Sequence, residues 1–183
     1  MELEEILYLI GQGFGIIAIA LGFISYQMKT QGQVLVFQLL TCAVFFVHYG
    51  LIGATTAMAM NGISIIRCAA YYIRNKKGSE NLFVPIFFTA LVCLSGILTW
   101  EAWYSVFAFV GIGTNAYCMS LSNAQTVRKT ILITCPIVII YDVFALSIGG
   151  IIYESVAMIS ALIGIFRMAK KNSNTEKESE NGI

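Results

Sequence analysis

Charge, histidine and proline are all scarce in this chain. Of its 183 residues only 11% are charged, one is histidine and two are proline. A soluble domain carries roughly 25% charged residues, so an ordinary water-facing surface is excluded. The lone histidine, His48, has no nucleophile partner at a recognisable catalytic spacing, and no His/Cys/carboxylate grouping has metal-ligand spacing. No catalytic residue, metal or cofactor is expected, and the chain is not read as an enzyme. The five cysteines, Cys42, Cys68, Cys93, Cys118 and Cys135, form no CxxC and all lie in apolar stretches, where they act as small packing residues. A net charge of +1 gives no argument for a nucleic-acid partner, and none is expected.

What the chain has instead is apolar length. It is 58% hydrophobic, with a mean hydropathy of +0.79. A helix needs roughly 20 mostly apolar residues to cross the hydrocarbon core. Seven windows qualify, at about Ile6–Tyr26, Val34–Ile52, Ala54–Ile73, Leu82–Thr99, Ala102–Leu121, Thr130–Ile148 and Ile151–Ala169. Barrel strands would be about ten residues long and alternate in polarity; these windows are longer and apolar all round. The expected class is therefore all-α, a polytopic membrane protein whose first partner is the lipid bilayer.

Ten of the eleven Lys and Arg residues fall at four places: Lys29, then Arg74/Lys76/Lys77, then Arg128/Lys129, then Arg167/Lys170/Lys171/Lys177. The alternate connectors, near Gly53, Glu101 and Gly149–Gly150, have none. Basic loops stay in the cytoplasm, so the N-terminus is expected outside and the C-terminus in the cytoplasm. The acidic start, Met1-Glu2-Leu3-Glu4-Glu5, is unlike the basic start of a signal peptide. Trp100, Trp103 and Tyr104 gather at one outer connector, where amphipathic rings favour the interface. The tail, 172–183, is polar and charged with almost nothing to bury, and reads as disordered.

The two ends of the chain share a plan. A first span carries Gly13/Gly15 or Gly111/Gly113 and ends at Tyr26-Gln27 or Ala124-Gln125, followed by basic residues. A second span carries Thr41-Cys42 or Thr134-Cys135, and a third runs to Arg74 or Arg167. Three spans reverse orientation, so an extra span between the triplets restores it. The chain thus divides into a first three-helix repeat (1–78), a linker helix (79–100), a second repeat (101–171) and the tail. Parallel repeats of this kind place a substrate site near the midplane between them.

This plan, with His48-Tyr49-Gly50 followed by Asn61-Gly62, resembles the SWEET and PQ-loop proteins. The resemblance implies that Asn61 lines a pocket. The chain departs from that group where its Pro-Gln pairs have become Tyr26-Gln27 and Ala124-Gln125, and no Asn on the seventh span mirrors Asn61. A closer resemblance is to the YgjV family of bacterial inner-membrane proteins. It is carried by Val47-His48 with Asn61 downstream, and by Ser147-Ile148-Gly149-Gly150 followed by Glu154 and Phe166-Arg167. It implies a bacterial inner-membrane location and leaves the substrate open.

Ionisable groups inside spans cost roughly 2.5–3.5 kcal/mol at the helix centre on insertion scales. They persist where they pair, face water or serve transport. Four occur: His48, Arg67, Asp142 and Glu154. Asn61, Arg67, Asp142 and Asn115 are expected to line a polar cavity, with Glu154 and His48 as further substrate-binding candidates. Arg67 would suit an anionic group. Against this, Glu154 could be an interfacial carboxylate, His48 a packing hydrogen bond, and Arg67 a side chain reaching for the cytoplasm. Gln27 and Gln125, at matched cytoplasmic ends, are gate candidates. Gly11, Gly13 and Gly15 read as close helix packing, and Pro136 as a kink in the sixth span. The expected function is a small-solute transporter or facilitator acting on a small polar or anionic solute. A non-transporting membrane module, such as a sensor, scaffold or accessory subunit, is the alternative, and a homo-oligomer is left open.

Overall fold

The computed structural model describes residues 3–51, 55–79, 81–98, 103–144 and 148–181. Among them are seven α-helices: α1 Leu3–Gln27, α2 Gln31–Leu51, α3 Thr55–Lys76, α4 Phe83–Leu98, α5 Ser105–Cys118, α6 Ala124–Phe144 and α7 Ile148–Asn181. The expected connectors at Gly53, Trp100 and Glu101 lie outside the described residues.

Helix ends follow local chemistry. Thr30 starts α2 as a reciprocal cap: its hydroxyl accepts the Gln33 amide at 3.3 Å, and the Gln33 side chain accepts the Thr30 amide at 3.4 Å. Asn123 starts α6 by accepting the Gln125 amide at 2.9 Å. This begins α6 six residues before the apolar window, so Arg128 and Lys129 stand on the helix rather than in a loop. Gly78, at φ +60, closes α3, and the Ser79 amide donates back to the Arg74 carbonyl at 3.2 Å.

Two boundaries differ from expectation. Gly149–Gly150 lie in the first turn of α7, not in a connector; a first turn has no intrahelical donor bonds for a glycine to weaken. At its other end α7 continues through 172–181, the stretch that composition marks as disordered. Lengthening an existing helix avoids the cost of nucleation, so polar residues with nothing to bury can still extend it.

By length and composition α1, α2 and α7 qualify as membrane spans, and α4 and α5 are shorter apolar helices. α3 and α6 carry Arg67/Arg74 and Arg128/Lys129/Asp142, which break their apolar character. Packing follows chain order and closes on itself: α1 on α2, α2 on α3, α4 on α5, α5 on α6, α6 on α7 and α7 back on α1, with α3 touching α4 more lightly. Ile16, Phe83, Ile133 and Phe166 point outward and are more than 60% exposed, as lipid-facing side chains should be. Lipid tails are as apolar as leucine, so tight packing and hydrogen bonds must hold the helices together. One buried cluster joins α2, α3, α4 and α6 through Val34, Leu35, Tyr71, Phe88 and Val127. A second joins α1, α6 and α7 through Tyr26, Ile131, Cys135, Ala157 and Ala161.

Candidate functional site

A cavity of about 450 Å³ lies in the half of the bundle away from the basic helix-end clusters. Helices α1, α2 and α3 form its walls, with Tyr153 of α7 as the contribution from the second half. Two of the expected binding residues, His48 and Asn61, line it together with Gln12, Thr41 and Tyr49. His48 Nδ1 stands 2.7 Å from the Gly11 carbonyl oxygen. A carbonyl only accepts, so Nδ1 carries a hydrogen; the neutral ring then presents Nε2 as an acceptor. Gly15 makes room for this ring, because a Cβ there would lie 3.2 Å from His48 Cε1. Phe45 stacks on Tyr49 at 5.6 Å and meets Tyr153 edge-on at 5.8 Å, giving an aromatic wall. Among the described residues, no Asp, Glu, Lys or Arg lines the cavity. It offers hydroxyl, amide and imidazole groups over aromatic faces.

The other candidates sit around it. Arg67 lies near Cys42 and Cys68, which hydrogen-bond to each other between α2 and α3. Cys42 is part of the cavity lining, and Arg67 is not. Arg67 Nε is buried without a hydrogen-bond partner. Glu154 follows the lining residue Tyr153, hydrogen-bonds Cys135 of α6 and interacts electrostatically with Asp142. Asp142 is buried on α6. Asn115 of α5 has a buried, unpartnered Oδ1 and does not line the cavity. The expected four-residue lining therefore contributes Asn61 alone; Arg67, Asp142 and Asn115 are not among the described lining residues. Pro136 lies inside α6. Among the described residues, no three His, Cys, Asp or Glu side chains are grouped to hold a metal ion.

The basic end of the bundle is closed by side chains bonded to helix-end carbonyls. Helix ends leave four such carbonyls without intrahelical partners. At the end of α1, Arg128 of α6 donates from Nε to the Tyr26 carbonyl at 2.7 Å and from Nη2 to the Met28 carbonyl. Arg167 of α7 donates to the Gln27 carbonyl, and Ser160 of α7 to the Phe23 carbonyl. Gln27 Nε2 donates to the Ser160 carbonyl at 2.7 Å. Gln125, the other gate candidate, accepts from Arg128 Nη1 at 3.2 Å. Arg128 is fully buried; that burial, and then the neighbouring Arg167 charge, lower its pKa from the usual arginine value. Arginine nonetheless stays charged at neutral pH. Both cations sit at the negative end of the α1 dipole.

The end of α5 is treated in the same way by the other half. Tyr71 of α3 donates to the Ala116 carbonyl at 3.1 Å. Gln31 of α2 donates to the Met119 carbonyl at 2.8 Å, and Arg74 of α3 to the Ser120 carbonyl at 2.8 Å. The backbone itself accounts for Asn115, Tyr117 and Cys118 through tight turns.

The sequence model of Imp-YgjV, described as bacterial inner membrane protein, matches residues 9–172. The chain belongs to the Imp-YgjV family. It is thus a multi-pass protein of the bacterial inner membrane. No curated protein and no solved structure matches it.

In this Imp-YgjV chain the charge pattern alone treats Arg74, Arg128 and Arg167 as solvated loop cations, and so misses their structural work. One signal was present. Each of these positions holds Arg, not Lys, in clusters that otherwise contain many lysines. The guanidinium fork can bond several carbonyls at once, which an ammonium cannot do in fixed geometry. The sequence does not single out Gln12 and Tyr153, since a polar residue on an apolar span does not reveal which way it faces.

Proposed function

We propose that this protein is a small-solute transporter or facilitator whose solute enters the His48/Asn61 cavity. The observation that carries the reading is the pairing of a cavity bearing hydroxyl, amide and imidazole groups in one half of the bundle with a cross-bonded opposite end. That is the arrangement expected of a carrier open to one side. The reading takes the basic end as cytoplasmic, by the location of Lys and Arg, and the N-terminus as external. Reciprocal capping of α1 and α5 by the opposite half supports a division into two three-helix units that rock about a shared axis, with α4 as linker. The neutral lining favours a small polar, uncharged solute, and the aromatic wall suits a ring or a sugar face. The chain's part in this is binding and passage, with no bond made or broken.

One observation favours a second reading, a non-transporting module. Ten of the eleven described residues that line the cavity come from the first three helices, whereas a carrier site between repeats draws on both.

The test is thermal unfolding of the purified protein against a panel of sugars, polyols and amino acids. A ligand that binds only the folded state raises the melting temperature. A hit lost in Asn61→Leu and His48→Phe, followed by uptake of the same solute into proteoliposomes, supports transport. Binding without uptake would turn the reading toward a sensor.

A further inference from the structure

A second hollow lies at the basic end, and the transport reading makes no use of it. It is an open groove of about 700 Å³ between the start of α2, the end of α3 and the α5–α6 turn. Lys29 and Lys76 line it, and among the described residues no Asp or Glu does. The first turns of α2 and α6 both reach it, at Gln31/Gly32 and Asn123/Ala124. First-turn amides lack intrahelical partners, and the helix dipole is positive there. Thr30 and Asn123 each take up only one of these amides. Two helix starts and two ammonium groups therefore make the groove a field for an anion.

Gln31 supplies an independent pointer. Its side chain is 2% exposed and lines the groove. Nε2 is committed to the Met119 carbonyl at 2.8 Å, which fixes the amide orientation. Oε1 is buried with no partner. A buried acceptor left unsatisfied costs free energy, so a hydrogen-bond donor is wanted at that point. A bare anion does not provide one.

We propose that this groove binds a phosphate ester that also carries a hydroxyl or ammonium donor. The phosphate lies between Lys29 and Lys76 at the helix starts, and the donor bonds Gln31 Oε1. Glycerol phosphate has this chemistry, whether as a free metabolite or as the headgroup of phosphatidylglycerol. Basic pockets between helices on the cytoplasmic side are suited to such headgroups.

The test uses the full chain in phosphatidylcholine nanodiscs and reads melting temperature. One arm adds glycerol 3-phosphate, a second adds inorganic phosphate, and a third replaces part of the lipid with phosphatidylglycerol. A rise of several degrees with glycerol 3-phosphate marks a soluble ligand. A rise with phosphatidylglycerol alone marks a lipid site. Inorganic phosphate should act more weakly than glycerol 3-phosphate. Lys29 and Lys76 are exposed, so Lys29→Gln/Lys76→Gln should fold and should abolish either rise. Gln31→Leu should erase the preference for the ester over inorganic phosphate. No rise in any arm, or a rise that survives the double lysine variant, overturns the proposal.

Discussion

Helices α1 and α5 end at the same side of the bundle and face the same problem, a set of carbonyls without partners. The end of α1 is capped by Arg128, Arg167 and Ser160, with Arg128 wholly enclosed. The end of α5 is capped by Tyr71, Gln31 and Arg74, and Arg74 also reaches the exposed Asn81 carbonyl. Both sets of donors come from the opposite half of the chain. The arginines differ in burial: Arg128 is wholly enclosed, Arg74 only partly. Removing a buried donor strands carbonyls that water cannot reach, whereas a partly exposed carbonyl can recruit water. Arg128 should therefore be the stronger and more brittle cap of the two arginines.

Substitutions can break that comparison at graded strength. Arg128→Ala should have the largest effect, about 3 kcal/mol or more of lost stability, because three hydrogen bonds and a packed side chain go at once. Arg128→Lys should recover little of it, since lysine lacks the fork. Chemical unfolding in mixed micelles measures both. Gly164→Ala comes next at about 2 kcal/mol, since its Cβ would fall 2.5 Å from the Tyr26 carbonyl oxygen and 2.7 Å from Arg128 Nε. Arg74→Ala should cost about 1 kcal/mol, the value for a part-exposed cap. If Arg74→Ala proves as damaging as Arg128→Ala, burial does not set the difference. Ser160→Ala should be mildest, about 0.5 kcal/mol, because Gln27 keeps its bond to the Ser160 carbonyl. Cysteine-accessibility labelling would sharpen the comparison: positions at the α1 end should become reactive in Arg128→Ala and stay protected in Arg74→Ala.

Much of the fold was legible because apolar length and charge placement are properties of the chain itself. The seven helices answer to seven apolar windows, and their internal parts agree closely. Ends were harder. The α6 start depends on Asn123 as a cap, a local effect that hydropathy averages away. The continuation of α7 past its apolar part depends on propagation, which composition does not report. Of the site, Asn61 and His48 share one cavity, but direction around a helix decided the rest. Arg67 lies within α3 and Asp142 within α6, yet position along an axis does not say which side chain faces the hollow and which faces a neighbouring helix. Arg128 was hidden for the opposite reason: its sequence context resembles a solvated loop, and only tertiary packing encloses it.

One dimension of α7 has a mechanical consequence. At about 1.5 Å per residue its 34 residues extend about 50 Å, while the hydrocarbon layer is about 30 Å thick. The stretch beyond Arg167, roughly 20 Å as helix, therefore extends past the length that crosses the hydrocarbon layer, as a helical mast. A tilt of α7 inside the bilayer would be magnified along that mast, so a small movement at Ser160 or Gly164 would sweep Glu176 and Glu178 through a much wider arc.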